Sequence, residues 1–170
     1  MQKITIVGVG NRLVEQDRIG PKVVEDLRNL LSGDFELVEL SGGGLGLLDI
    51  ARKQDLLVVV DACALGGEPG WVEVFEFDGL PVDSVSVGGV TMHQIGPYEA
   101  LKVVEALYPE RMPRRVCFVL IETSGMEEDL PSSSRARATE IILDLIQETG
   151  LGSSGVWMSG DHGKMMEKNR

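Results

Sequence analysis

Cysteine and histidine are scarce in this sequence of 170 residues, which contains two of each. Cys63 and Cys117 lie in or beside apolar runs and form neither a CxxC pair nor a disulfide framework. This placement favours buried thiols in a reducing compartment. The two histidines, His93 and His162, do not form the HExxH motif of zinc peptidases, so a site of that type is excluded.

Long apolar runs and an excess of basic residues are also absent. No apolar segment approaches the roughly 20 residues that cross a bilayer, and the opening MQKITIVGVGN predicts a first strand instead of a signal peptide. The 16 basic residues are outnumbered by 27 acidic ones, which gives a net charge of −11. A negative field of this size repels nucleic acid and anionic membranes. We therefore expect a cytoplasmic monomer with no nucleic-acid or membrane partner.

The composition is that of an ordinary folded protein, with 43% hydrophobic and 25% charged residues. The length predicts one domain, which we place at residues 1–150. Residues 151–170 are rich in Gly and Ser and lack periodicity, so they are predicted to form a flexible tail. His162 lies in this tail and is not assigned to a site.

Strand and helix patterns alternate along the chain. Apolar runs predict strands at 3–8, 35–40, 55–61, 82–90 and 114–122, and the alternating run 71–77 predicts an edge or antiparallel strand. Helical spacing predicts helices from Ile19 to Gly33, around 45–53, from Pro97, and over 134–149. The fold class is therefore predicted to be α/β, a three-layer architecture with a mostly parallel open sheet and helices on both faces.

Three polar residues stand where predicted strands end. Asp61 ends the apolar run DLLVVVD, Asp17 follows the first strand, and His93 follows the VGGV run. A carboxylate at the end of a buried strand requires backbone donors or a cation. The carboxyl ends of parallel strands share one edge of a sheet, and ligands bind in the crevice there. We therefore predict that Asp17, Asp61 and His93 converge at this edge.

Two carboxylates and one imidazole form a three-ligand set with open coordination positions. Such a set suits a divalent transition metal, and zinc or nickel fits it better than copper(I), which prefers sulfur ligands. Ordinary roles remain open for each residue alone, since Asp17 could be a helix cap or a solvated acid and His93 a structural side chain.

Other motifs are weaker. GVGN (8–11) suggests a dinucleotide site, but Leu13 stands where a third glycine belongs and Ser41 where a ribose-binding acid belongs, so no nucleotide site is predicted. A Cys63–His93 pair for nucleophilic catalysis stays as an alternative. The serines at 132–134 follow Pro131 and are interpreted as a helix cap.

Three segments, ITIVGVGNRLVEQDRIG, LLVVVDA and MHQIGPYEAL, occur in an order and spacing that resemble the endopeptidases that mature [NiFe]-hydrogenases. The resemblance extends over residues 3–148. It implies that Asp17, Asp61 and His93 contact the metal and carry the catalysis. It also implies a hydrolase that removes the C-terminal extension of a hydrogenase large-subunit precursor after nickel insertion.

The same resemblance implies that nickel is supplied within the precursor, that zinc or cadmium could take its place, and that no nucleotide is needed. Two alternatives stay open. One is a non-catalytic, metal-dependent binding protein that docks on a nickel-loaded partner, and the other is a related peptidase of this fold with another target. The chain departs from the family pattern at Gln16, the first of a usual pair of acids, and at Ser41, where members carry Asp.

Overall fold

The computed structural model describes residues 3–79, 95–125 and 131–150. Five strands are present in these ranges: β1 (Ile4–Val9), β2 (Phe35–Leu40), β3 (Leu56–Cys63), β4 (Val72–Glu76) and β5 (Val116–Glu122). Four α-helices accompany them: α1 (Ile19–Leu30), α2 (Leu47–Ile50), α3 (Pro97–Leu107) and α4 (Ser132–Glu148). The strand predicted at 82–90, His93 and the predicted tail at 151–170 lie outside the described residues.

The five strands form one sheet in the order β2-β1-β3-β5-β4. Four of them run parallel, and β4 pairs antiparallel with β5 at the edge of the described sheet. The sequence predicted an edge or antiparallel strand at 71–77, and β4 is both in the described sheet, although Val72 and Val74 pack against one apolar layer and Phe75 against the other. The mixed, mostly parallel α/β fold is confirmed.

Side chains of each central strand alternate between two apolar layers, as a pleated strand requires. Ile6 and Val58 pack in the layer formed with α1 and α4, whereas Val7 and Val59 pack in the layer on the opposite face, formed with α2 and α3. All four side chains are fully buried. Helices therefore cover both faces of the sheet, and the three-layer prediction is confirmed.

The serines 132–134 form the first turn of α4 and do not cap it, so this interpretation was wrong. Pro131 takes the N-cap position in an extended conformation, and no side-chain hydrogen bond caps the helix. Helix α4 begins at Ser132, two residues before the predicted start, because proline fixes the backbone that leads into the first turn. None of the helices in the described ranges has the length and apolarity that a membrane span requires.

Candidate functional site

The candidate site lies where the order of strands reverses. Strand β1 connects through α1 to β2 on one side, whereas β3 adjoins β1 on the other side. Such a reversal opens a crevice between the two helix connections at the carboxyl ends of the strands, and ligands of open α/β sheets bind there. Asp17 lies in the loop after β1, and Asp61 lies two residues before the end of β3, so both residues belong to this crevice.

The start of α1 carries Asp17 towards Asp61 because the helix is seated directly on the sheet. A Cβ atom added at Gly20 would lie 2.3 Å from the carbonyl oxygen of Val9 and 2.6 Å from that of Val60. Gly8 of β1 meets the same helix turn, since its added Cβ would lie 2.3 Å from the oxygen of Gly20. Glycine at both positions allows this close approach.

The loop that bears Asp17 closes on the GVGN turn. The backbone N–H of Asn11 donates to Oδ2 of Asp17 at 2.8 Å, and the Asp17 N–H donates to the carbonyl of Val14 at 3.0 Å. Gly10 has φ +138°, and its added Cβ would lie 1.7 Å from the Asp17 carbonyl oxygen. Close backbone contacts within the chain therefore explain why Gly8 and Gly10 are glycines. Asp17 caps the turn rather than α1, whose N-cap is Arg18.

Asp61 is a carboxyl group whose charge receives little stabilisation from the described residues. It is partly buried, and its Oδ1 accepts a 2.8 Å hydrogen bond from the N–H of the next residue, Ala62. Burial, and then the negative charge of Asp17, raise the pKa of Asp61 well above its ordinary value. Asp17 is therefore close enough to repel the ionised form. Further hydrogen-bond donors or a cation would stabilise the ionised form of Asp61.

Glu122 is a third carboxylate at this edge, and it was missed in the sequence. It ends β5, the strand beside β3, and is 3% exposed. Its oxygens accept hydrogen bonds from the N–H groups of Leu65 (2.8 Å), Gly67 (3.1 Å) and Ser124 (2.9 Å). Burial alone would raise the pKa of Glu122, but these hydrogen bonds outweigh it and the pKa is lowered. The signal was available, because the run VCFVLIE ends in a carboxylate as DLLVVVD does.

Glu122 and Asp61 therefore play different roles. Glu122 is ionised and satisfied by backbone donors, so it fixes the loop after β3. Asp61 has one such donor among the described residues, its own neighbour, and is available to a ligand. The difference lies in the loops around the carboxylates and not in the strand pattern.

Cys63 is a poor nucleophile in this environment. The side chain is 4% exposed, and burial, followed by the charge of Glu122, raises the pKa of its thiol to about 12. The thiolate is the reactive form, so a thiol held protonated at neutral pH disfavours the Cys63–His93 alternative. Cys117 is fully buried in the apolar layer under α1 and α4, as a packing role requires.

Ile95 and Gly96, which follow His93 in the segment MHQIGPYEAL, lie at the same edge. The N–H of Gly44, in the loop after β2, donates to the carbonyl of Ile95 at 2.8 Å, and an added Cβ at Gly44 would lie 2.2 Å from the carbonyl carbon of Gly96. The glycine-rich loop and the segment 95–96 are thus in direct backbone contact. His93 itself lies outside the described residues. In the part of the chain that is described, no three His, Cys, Asp or Glu side chains form a metal-binding group.

Arg12 holds the Asp17 loop from its outer side. Its guanidinium makes a two-pronged contact with Glu39 of β2, at 2.6 Å and 2.9 Å, and a third contact with Glu25 of α1 at 3.2 Å. Arg28 also binds Glu39. The hydrogen bond from Arg12, with that from Arg28, holds the pKa of Glu39 at about 2. This cluster connects the loop, β2 and α1, and it was not anticipated from the sequence.

Comparisons with known proteins agree with the fold and with the family that the sequence resembles. The model of the hydrogenase maturation protease family, HycI, matches residues 21–148. The hydrogenase expression/formation protein HupD of Thiocapsa roseopersicina is 30% identical over 150 residues, which cover 85% of this chain and 65% of that protein. The chain therefore spans less than two thirds of the length of that relative. The hydrogenase 2 maturation protease of Escherichia coli is 23% identical, with 88% and 93% covered.

A solved structure shares the same architecture. The hydrogenase maturating endopeptidase HybD from E. coli superimposes with a TM-score of 0.68 at 24% sequence identity. The match covers 88% of this chain and 94% of that structure, so the similarity extends over nearly the whole of both folds.

Proposed function

This chain belongs to the hydrogenase maturation protease family, a family of hydrolases, and we propose that it is an endopeptidase acting on a [NiFe]-hydrogenase large-subunit precursor. It removes the C-terminal extension of that precursor after nickel has been inserted. Asp17, Asp61 and His93 contact the nickel of the precursor and act in the cleavage. Nickel is part of the substrate in this proposal, and zinc or cadmium can take its place at the ligands.

The observation that carries this proposal is the Asp61 carboxyl group in the crevice beside Asp17. Its ionised form is disfavoured by burial and by the neighbouring charge, and the described residues offer it one hydrogen-bond donor. A divalent cation reverses both penalties, since it attracts the two carboxylates at once. Carboxylate and imidazole ligands suit nickel or zinc.

The position of Ile95 supports His93 as the third ligand. Ile95 lies against the loop after β2 at the carboxyl edge of the sheet, and His93 precedes it by two residues. Two residues of extended chain span at most about 7 Å. A ligand set drawn from three separate loops can accept a metal that a second protein presents, because no single loop encloses it.

The two carboxylates also offer a reason why cleavage would depend on nickel in the precursor. Without the cation, the carboxyl edge presents two mutually repelling acids, so the nickel-free precursor gains no binding free energy from them. With the cation, the two carboxylates become ligands and orient the bound C-terminal segment. Recognition of nickel is thus a difference in binding free energy between loaded and empty precursors.

The experiment that tests the proposal is incubation of the chain with nickel-loaded and nickel-free precursor, followed by intact-mass measurement over time. We expect loss of the C-terminal extension from the loaded precursor alone. A stable, nickel-dependent complex without mass loss would favour the non-catalytic binding protein. Equal cleavage of both precursors would show that the metal is not the recognition signal.

A further inference from the structure

Exposed apolar side chains concentrate at one edge of the fold. Among the described residues, eight large hydrophobic side chains are exposed, and six of them lie on loops at the carboxyl edge of the sheet: Leu13, Val14, Leu45, Leu65, Trp71 and Ile95. The remaining two, Leu107 and Tyr108, lie where α3 ends, at the opposite edge. We call the six residues the apolar rim.

Each member of the rim comes from a loop that borders the candidate site. Leu13 and Val14 precede Asp17 in its loop, and Leu65 follows β3, which ends near Asp61. Trp71 joins this edge because β4 is antiparallel, so that its first residues lie beside the last residues of β5. The Glu122 N–H donates to the Trp71 carbonyl at 2.8 Å.

We propose that the apolar rim is the docking surface for the folded body of the large-subunit precursor, an inference that rests on the proposed function. A clustered apolar surface of this kind is costly to expose and marks an interaction site in soluble proteins. An endopeptidase brings a polypeptide to its site, and the rim borders the site assigned to cleavage. The occupant is therefore the substrate protein.

The width of the rim favours a folded surface over the cleaved peptide alone. Leu45 follows β2 and Trp71 precedes β4, the two outer strands of the five-stranded sheet. At about 4.8 Å between neighbouring strands, these positions are separated by roughly 19 Å. An extended segment would cross this distance with about six residues but would follow one line, whereas a protein surface contacts the loops on both sides of the site. The 61% exposed indole of Trp71 is the kind of side chain that anchors protein interfaces.

The loops that carry the rim are held in place before any partner arrives. Glu122 binds the N–H groups of Leu65 and Gly67, and its own carbonyl accepts from Gly70 at 2.8 Å. Asn11 closes the loop of Leu13, whose N–H donates to the Asn11 side chain at 2.9 Å. A surface ordered in advance loses less conformational entropy on binding, which suits a docking role.

The test compares a rim variant with a matched variant of the opposite edge. Leu13→Ser combined with Trp71→Ser removes two rim side chains, and Leu107→Ser combined with Tyr108→Ser removes two exposed side chains away from the site. For the rim variant, we expect at least a tenfold rise in KM for nickel-loaded precursor, with kcat within twofold. The control should change neither constant by more than twofold, and both variants should keep the wild-type Tm.

The inference and the proposed function fail in different ways. If wild-type chain cleaves the loaded precursor but the rim variant has an unchanged KM, or the control raises KM equally, the docking surface is wrong and the function stands. If wild-type chain binds the precursor without cleaving it, the protease function is wrong, and equilibrium binding of the same variants tests the rim. Should the double variant lose its fold, Leu13→Ser alone carries the test, because the Leu13 side chain is 92% exposed.

Discussion

Two carboxylates at the ends of neighbouring strands show how local donors decide the role of a residue. Glu122 receives three backbone N–H groups and is stable as an anion, whereas Asp61 receives one from the described residues and is repelled by Asp17. The first carboxylate organises a loop. The ionised form of the second is disfavoured in the free protein.

Asp61→Asn should therefore stabilise the free protein at neutral pH. The folded state raises the pKa of Asp61, so the carboxyl group ionises in the unfolded chain, at a pH of about 4, before it ionises in the folded protein. The wild-type fold therefore loses stability as the pH rises from the unfolded pKa to the folded pKa. Asparagine keeps the Oδ1 acceptor for Ala62 and cannot ionise. We expect a higher free energy of unfolding than that of wild type at pH 7 and no difference near pH 3.

Urea unfolding of wild-type and Asp61→Asn proteins from pH 3 to 8 measures this difference. Glu122→Gln is the matched control. It should lose stability at pH 7, because a carboxyl group with a lowered pKa stabilises the fold at pH values above the ordinary pKa of a glutamate. A destabilised Asp61→Asn protein would contradict the assignment of an uncompensated carboxyl.

Ser41 is the position at which the family resemblance implies an acid. It follows β2 at the edge of the site and is exposed, so a carboxylate can be introduced without burial. If that acid assists hydrolysis, Ser41→Asp should increase the rate of cleavage several-fold when the protease is in saturating excess over the precursor. Single-turnover cleavage measures the effect, and Ser41→Asn separates the charge from the shape. An equal rate for all three proteins would mean that this chain cleaves without the acid.

At the scale of an element, the position of α1 determines the geometry of the site. The added Cβ of Gly20→Ala would lie within 2.6 Å of two strand carbonyls, so the helix start must move away from β1 and β3. We expect a loss of about 1–3 kcal/mol in the free energy of unfolding, together with slower cleavage. Gly67→Ala is the control, since its nearest added contact is an ordinary 3.4 Å. A Gly20→Ala protein with unchanged stability would disprove this packing.

The Arg12 cluster should affect the loop of Asp17 more than global stability. Exposed ion pairs contribute little to folding, but this one connects the loop to β2 and α1. Arg12→Ala should leave Tm nearly unchanged and lower kcat for the loaded precursor, with partial rescue by Arg12→Lys. Arg137→Ala removes a comparable exposed pair with Glu140 on α4 and should change neither quantity. A normal kcat for Arg12→Ala would show that the Asp17 loop needs no such support.

Most elements could be predicted because each strand pattern is read from its own residues. The apolar run 55–61 predicted the strand that the structure shows as β3, and the run 71–77 predicted the edge or antiparallel strand that is β4 in the described sheet. The start of α4 was misplaced, since a proline N-cap leaves no side-chain signal.

The approach of Asp17 to Asp61 was predicted from the shared edge of the strands. The contacts that enforce it, at Gly20 and Arg12, depend on distances between elements that no local pattern contains.

The whole molecule combines a net charge of −11 with an apolar rim around its candidate site. The charge repels other negatively charged surfaces, while the rim supplies apolar surface that a partner can cover. The reversal of strand order between β1 and β3 places the two acids inside this surface. We propose that a partner that carries its own cation neutralises the two acids and covers the rim at the same time. This is the central claim for the molecule.

The most direct test of this claim is the time course of precursor mass with wild-type, His93→Ala and Asp61→Ala proteins, each with nickel-loaded precursor. We expect complete loss of processing in both variants, with Tm equal to or above that of wild type, because the proposed function assigns both residues to the metal. Undiminished cleavage by a folded His93→Ala protein would contradict the account.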